Sequence, residues 1–189
     1  YAGDANFTAN HTTAQFEVNK RKSSVNVTAD AIDVGEDAII SITVPANATG
    51  HVIVSINGTE YNVNITEGTG SLTVTGLGNG TYNVNVTYIG DDQYLSSINS
   101  TTLTVSKVES AINITVQEGS AIVNGSDVNI IITAPADATG PVEITVNDGV
   151  KDTVYTIYVN NGTGTLHLET PLIGIYNVTA VYAGDSKYK

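Results

Sequence analysis

Thirteen of the nineteen asparagines in this 189-residue chain are followed two positions on by serine or threonine, with no proline between. They are Asn6, Asn10, Asn26, Asn47, Asn57, Asn64, Asn79, Asn85, Asn99, Asn113, Asn124, Asn161 and Asn177. This triplet is the acceptor for N-linked glycan transfer, in which the side-chain amide takes the sugar. Serine and threonine are about a fifth of the residues, so chance would produce the triplet in about four cases. Strand alternation adds to the count, because a period of 2 puts Asn and Thr on the same face. Asn57, Asn79 and Asn161 precede glycines in turn-forming pairs, where the acceptor amide is easiest to reach.

No other constellation carries chemistry. His11, His51 and His167 are scattered, and no zinc-ligand spacing exists. There is no cysteine, hence neither thiol nucleophile nor disulfide, and no serine sits in a nucleophile elbow. No glycine-rich loop precedes a helix, and no pair of carboxylates stands out as an acid and base. Acids gather at Asp30, Asp33, Glu36 and Asp37, and at Asp91 and Asp92. Glu118 and Asp127 stand near the first cluster's place further on, and Asp185 alone at the second. Calcium needs six to eight oxygens, and no loop follows the EF-hand pattern. These acids read as solvated turns, with Asp4, Asp91 and Asp185 bonding local backbone. A Lys–Asn crosslink starting from Lys22 has no matching lysine near Glu109. No enzyme, metal or cofactor is expected.

Bulk composition narrows the partners. The net charge is −12, which repels phosphate backbones and anionic lipid, so nucleic acid is not an expected ligand. No apolar run approaches the roughly 18 residues of a membrane span. Hydrophobic residues are 41% of the chain, enough for a core. No signal peptide is visible, and the chain opens in mid-pattern, as a piece of something longer would.

The elements that must position these residues come from a repeat. Tyr1-Ala-Gly-Asp-Ala-Asn-Phe7 matches Tyr88-Ile-Gly-Asp-Asp-Gln-Tyr94 and Tyr182-Ala-Gly-Asp-Ser-Lys-Tyr188. Residues 44–50, VPANATG, match residues 134–140, APADATG. Residues 1–18 align with 88–105 without a gap, placing Phe16 on Leu103 and Val18 on Val105. The unit is therefore about 90 residues. The division reads as 1–19, the last strand of a preceding repeat; 20–106, one full repeat; and 107–189, a repeat without its last strand.

Within each copy the apolar period is 2, as in Ile40-Ser-Ile-Thr-Val44 and Val84-Asn-Val-Thr-Tyr88. Asn-Gly pairs at 57–58, 79–80, 124–125 and 161–162 read as tight hairpin turns. Strands are predicted over 23–29, 37–44, 51–57, 60–66, 70–75, 81–89 and 95–105, then 110–117, 127–134, 141–147, 153–159, 163–169 and 175–183. Seven short strands in about 90 residues is the pattern of an immunoglobulin-like sandwich. The expected fold is all-β: two tandem immunoglobulin-like antiparallel β-sandwiches with an extra N-terminal strand. Tyr82 and Tyr176 fall where the sixth strand begins, the place of a tyrosine corner, and are expected to be structural.

The segments Gly80-Thr-Tyr-Asn-Val-Asn-Val-Thr-Tyr88-Ile-Gly-Asp91 and Gly174-Ile-Tyr-Asn-Val-Thr-Ala-Val-Tyr182-Ala-Gly-Asp185 resemble the signature of bacterial and archaeal Ig-like repeat domains. Such repeats are strung along adhesin-like surface proteins of methanogenic archaea, and the Asn- and Thr-rich composition is similar. The resemblance spans nearly the whole chain. It implies an extracellular, cell-surface location and a non-catalytic structural or adhesive role.

The spare strand has its own implication. Phe7, Ala14, Phe16 and Val18 are candidates to fill a sandwich that lacks its last strand. The expected partners are then neighbouring repeats or identical subunits, alongside covalent N-glycans. Three roles follow: a stalk module, a head-to-tail filament subunit, or a module binding glycans on a host or partner cell. The last would use outward tyrosines such as Tyr61, Tyr94, Tyr155 and Tyr158.

Overall fold

The structure, a computed structural model, describes residues 1–116 and 122–189. Glu118 and the end of the strand predicted over 110–117 lie outside the described residues. The first unit contains β1 (Asn26–Ala29), β2 (Ile32–Asp33), β3 (Ala38–Thr43), β4 (His51–Ile56), β5 (Thr59–Asn64), β6 (Thr69–Val74), β7 (Gly80–Tyr88) and β8 (Ser97–Ser106). The second contains β9 (Asn113–Val116), β10 (Val128–Thr133), β11 (Gly140–Asn147), β12 (Asp152–Val159), β13 (Thr163–Leu168) and β14 (Asn177–Tyr182).

In the first unit, β1-β3-β6 form one sheet and β2-β8-β7-β4-β5 the other. In the second, β9-β10-β13 face β12-β11-β14. Both units are immunoglobulin-like β-sandwiches. Alternation builds them: Ile40 and Ile42 of β3, Val52 and Val54 of β4, and Val84, Val86 and Tyr88 of β7 point inward and are buried, while the residues between them face out. Ile130, Ile132, Val142 and Ile144 do the same in the second unit. The two copies differ in spacing because the β11–β12 hairpin is longer: its strands run eight residues each, against six in β4 and β5.

Three local features depart from the sequence reading. β2 was not expected; two residues are too few to show a period, and they form by crossing from one sheet to pair in parallel with β8. Asn79-Gly80 is not a hairpin, because β6 and β7 belong to different sheets and the pair lies on the crossover. Conversely, Glu67 and Gly68 adopt φ of 50° and 74°, nearly those of Asn161 and Gly162 at 49° and 74°. The same turn is made at both places although only the second has the Asn-Gly signal, and each closes a single antiparallel bridge between strands that go on into different sheets, so Asn161-Gly162 does not join a paired hairpin either. Asn57-Gly58, with both φ positive, is the two-residue hairpin between β4 and β5.

Residues 1–19 hold no strand. Phe7, Phe16 and Val18 are exposed, Phe16 to 91% and Val18 to 83%. A strand needs a neighbour for its backbone hydrogen bonds, and this segment has no ladder partner among the described residues.

Candidate functional site

Among the described residues no group of three or more His, Cys, Asp or Glu is placed to hold a metal ion, and no polar or charged residue is buried. Glu36 turns back to accept the Asp33 N–H at 3.0 Å. His167 meets Asn129 at 2.8 Å and Asp127 at 3.4 Å on the surface. Lys22 is exposed. Among the described residues no desolvated acid–base pair is assembled.

What both units do assemble is a closure built on the Tyr-x-Gly-Asp-x-x-Tyr turn. In the first unit, Asp91 Oδ1 accepts the N–H groups of Gln93 and Tyr94 at 2.8 and 2.7 Å. Its Oδ2 accepts the Thr49 N–H at 2.8 Å and hydroxyl at 3.2 Å from the loop between β3 and β4. Tyr88 donates its hydroxyl to the Thr49 carbonyl at 3.1 Å. Asp185, Thr139 and Tyr182 repeat this in the second unit, with Thr139 N–H at 2.9 Å and the Tyr182 hydroxyl at 2.7 Å from the Thr139 carbonyl. Asp4 holds Asn6 and Phe7 in the same turn, at 2.8 and 2.9 Å.

The turn also receives the residues that lead into its own unit. Lys20 Nζ donates to the Asp91 carbonyl at 2.6 Å, and the Arg21 N–H to the Gln93 carbonyl at 2.8 Å. Lys107 donates likewise to the Asp185 carbonyl, and the Val108 N–H to the Lys187 carbonyl at 2.8 Å. The second turn is further braced: Asp137 accepts from Lys187 Nζ at 2.6 Å and from the Tyr188 hydroxyl at 2.5 Å, and Lys189 pairs with Glu109. The glycines explain the motif's third position. Gly90 and Gly184 have φ of 86° and 80°, and a Cβ would lie 2.7 and 2.6 Å from the Tyr94 and Tyr188 carbonyl oxygens.

The electrostatics follow from this geometry. The Thr49 N–H, joined by those of Gln93 and Tyr94, holds the Asp91 carboxyl well below the usual range. Burial pushes the Asp185 carboxyl the other way, but the N–H groups of Tyr188, Thr139 and Lys187 outweigh it and hold it low as well. Burial, with the neighbouring carboxylate, pushes Tyr88 and Tyr182 up to about 12. Asp91, Asp185, Tyr88 and Tyr182 thus each keep one charge state across the neutral range. The closure is a clamp rather than a proton-transfer site.

Tyr82 and Tyr176 donate their hydroxyls to the carbonyls of Gly78 and Leu172, each at 2.9 Å and four residues back. This is the geometry of a tyrosine corner.

The units part company beside β7 and β14. β7 is paired on both sides, by β4 and by β8. β14 is paired by β11 and, among the described residues, by no strand on its other side. Val84 and Val86 are fully buried, whereas their counterparts Val178 and Ala180 are only half-buried. Beside β14 lies an apolar groove of about 490 Å³, lined by Val128, Ile130, Leu168, Gly174, Tyr176 and Val178 among others.

No family of known proteins matches the sequence, and no curated protein matches it either. Several solved structures are similar. Fibronectin(III)-like modules of CbhA from Clostridium thermocellum share 18% identity over 87% of both chains, with a TM-score of 0.38. A 1.5-MDa bacterial ice-binding adhesin shares 20% over 80% of this chain and 55% of its own, with a TM-score of 0.37. Titin domains I67–I69 share 16% over 83% and 59%, also with a TM-score of 0.37.

All thirteen sequon asparagines are exposed. They differ in what holds the amide. Asn99, on β8, donates its Nδ2 to the Val25 carbonyl at 2.9 Å, bridging β8 to the segment leading into β1. Asn57 and Asn161 sit at positive φ in turns. Asn26, Asn64, Asn85, Asn113 and Asn177 project from the outer faces of strands. Sequence reasoning found the turn aspartates but missed the lysines that bind the turn, because a single surface lysine carries no signal of its own.

Proposed function

We propose that this chain is a non-catalytic stalk module of an extracellular, N-glycosylated surface protein of the archaeal adhesin-like kind. The observation that carries the reading is the duplicated closure: the turns after β7 and β14 each clamp the residues entering their own unit. With β8 ending at Ser106 and the clamp of the second unit beginning at Lys107, the connection is short and its far end is pinned, which stiffens a tandem array as a spacer requires. The Tyr-x-Gly-Asp signature supports the adhesin-like kinship. The exposure of every sequon asparagine supports a glycan coat, which would shield strand edges and resist proteases. No helix among the described residues is long and apolar enough to cross a membrane. The partners of this module are neighbouring repeats and covalent glycans.

Small-angle scattering on the chain tests the reading. A stalk module gives one narrow distribution of maximum dimension, and Lys107→Ala broadens it by freeing the joint. A broad distribution in the unsubstituted chain would overturn the spacer role. A screen against a glycan array stays blank for a spacer, and reproducible binding there would favour a recognition module instead.

A further inference from the structure

Four asparagines precede glycine, and two of these pairs share one backbone. Asn57 and Gly58 have φ of 47° and 84°, Asn161 and Gly162 of 49° and 74°. Each pair is a two-residue turn followed by threonine, with Ile56 facing Thr59 across the first and Asn160 facing Thr163 across the second. Both asparagines are exposed. What differs is the surroundings of the glycine nitrogen. We propose that Asn57 is a site of spontaneous deamidation, by ring closure onto the Gly58 nitrogen, and that the surroundings of Gly162 hold Asn161 unreactive. This goes beyond the stalk reading, which stands whether or not Asn57 reacts.

The reaction needs only water and solvent base. The main-chain nitrogen after an asparagine gives its proton to the base and attacks the side-chain Cγ. The Cγ–Nδ2 bond breaks, ammonia leaves, and a five-membered imide remains. Water then opens the ring. Cleavage at Cγ leaves aspartate. Cleavage at the main-chain carbonyl leaves isoaspartate, with the chain rerouted through the side chain. Glycine favours the first step, because a residue without a Cβ neither shields its nitrogen nor resists the rotation that brings it to Cγ.

At Asn57 nothing opposes that step. Gly58 is exposed, and a Cβ built on it would meet nothing within 4 Å. Among the described residues its N–H has no backbone acceptor. At Asn161 the Gly162 N–H donates to the Ala138 carbonyl at 3.0 Å, so the proton that base must remove is already held. Gly162 is also buried and boxed in. A Cβ there would lie 2.5 Å from the Pro135 carbonyl oxygen and 2.9 Å from that of Ala134. Rotation toward Cγ would have to break the bond and push the loop between β10 and β11 aside. Asn79 and Asn124 also precede glycine but match neither turn, since neither has a positive φ.

Reaction at Asn57 has two consequences. Isoaspartate adds a carbon to the main chain of a two-residue turn, so Ile56 and Thr59 no longer face each other. β5, which pairs with β4 alone among the described strands, then loses its register. Deamidation also consumes the amide that a glycan would occupy, whereas a glycan on Nδ2 crowds the Cγ that the ring closure must reach. One nitrogen has two exclusive fates, and early glycan transfer preserves the hairpin.

The full chain, made in a host that does not glycosylate and aged for weeks in mildly alkaline buffer, tests the proposal. Peptide mass spectrometry after digestion in acid, with detection of isoaspartate, gives the rate at each asparagine. Asn57 is expected to react at least about tenfold faster than Asn161, the protection that one hydrogen bond gives at the upper end of its range. In guanidinium, where both are Asn-Gly-Thr in an unfolded chain, the two rates are expected to converge. Gly58→Ala is expected to slow the reaction at Asn57. Equal rates in the folded chain, a difference that persists in guanidinium, or an Asn57 that stays intact overturns the proposal.

Discussion

The carboxylate of Asp91 accepts the backbone N–H of Thr49 at 2.8 Å, across 42 residues, and so ties the turn after β7 to the loop before β4. Asp185 and Thr139 repeat the bond at 2.9 Å in the second unit. Both bonds are made by the ionised acid. An aspartate in the unfolded chain titrates near about 3.9, and both of these titrate lower when folded. Their contribution to stability is therefore complete above about pH 4 and is lost as pH falls through the lower folded values. Melting temperature is expected to fall on acidification below about pH 4. In the double variant Asp91→Asn, Asp185→Asn it is lower at neutral pH and responds less to acid. A melting series from pH 7 to pH 2 on both proteins measures this.

Gly90 offers a sharper test of the same turn. A methyl group there meets the Tyr94 carbonyl at 2.7 Å on a backbone with φ of 86°. At Gly58, φ is also positive, at 84°, but nothing stands within 4 Å. Gly90→Ala is expected to destabilise the first unit by well over about 1 kcal/mol, and Gly58→Ala by about 1 kcal/mol or less. Urea denaturation of the two variants compares them directly.

Tyr82→Phe and Tyr176→Phe remove one hydroxyl each and leave the ring in place. Each loses one side-chain-to-backbone bond, at 2.9 Å in both units. The expected cost is about 1 kcal/mol, or about 4–8 °C in the unit's melting temperature. Calorimetry resolves the two units if they melt separately. A cost of zero in both would remove the structural role from these tyrosines.

Core truncation should report the open edge. Val84 is fully buried on β7, which β8 flanks, and its counterpart Val178 lines the groove only partly buried. Val84→Ala is expected to cost about 2 kcal/mol and Val178→Ala less than half of that, since fewer contacts are lost. Chemical denaturation of both variants gives the ratio.

Glycan occupancy is expected to follow the amides. Asn57, Asn79 and Asn161 present theirs on exposed turns, whereas Asn99 donates its amide to the Val25 carbonyl. Mass spectrometry of glycopeptides from protein made in a glycosylating host should find the first three occupied and Asn99 bare. An occupied Asn99 would mean that transfer precedes folding of β8.

The alternation of Ile, Val and Thr was enough to read the strands and the repeat, because a half-buried strand leaves a period of 2 in the residues themselves. The turn aspartates were legible too, since Gly-Asp between two tyrosines recurs. β2 was not, because its pairing depends on where β8 lies and not on its own two residues. The Glu67-Gly68 turn was hidden for a related reason: glutamate is not a turn-forming residue, yet Glu67 takes a left-handed φ of 50° between β5 and β6. The lysines of the closure were likewise invisible. Lys20 and Asp91 are 71 residues apart, and only the folded chain brings them together.

The parallel pairing of β2 with β8 has a mechanical side. Ile32 pairs with Val105 and Asp33 with Ser106, and the Val34 N–H reaches the Ser106 carbonyl at 2.8 Å. A tug on the two ends of the first unit drags β2 toward its beginning and β8 toward its end. These directions are opposed along neighbouring strands, so the bonds between them are loaded sideways and together rather than peeled one by one. The first unit therefore meets tension by shear of this pair rather than by peeling.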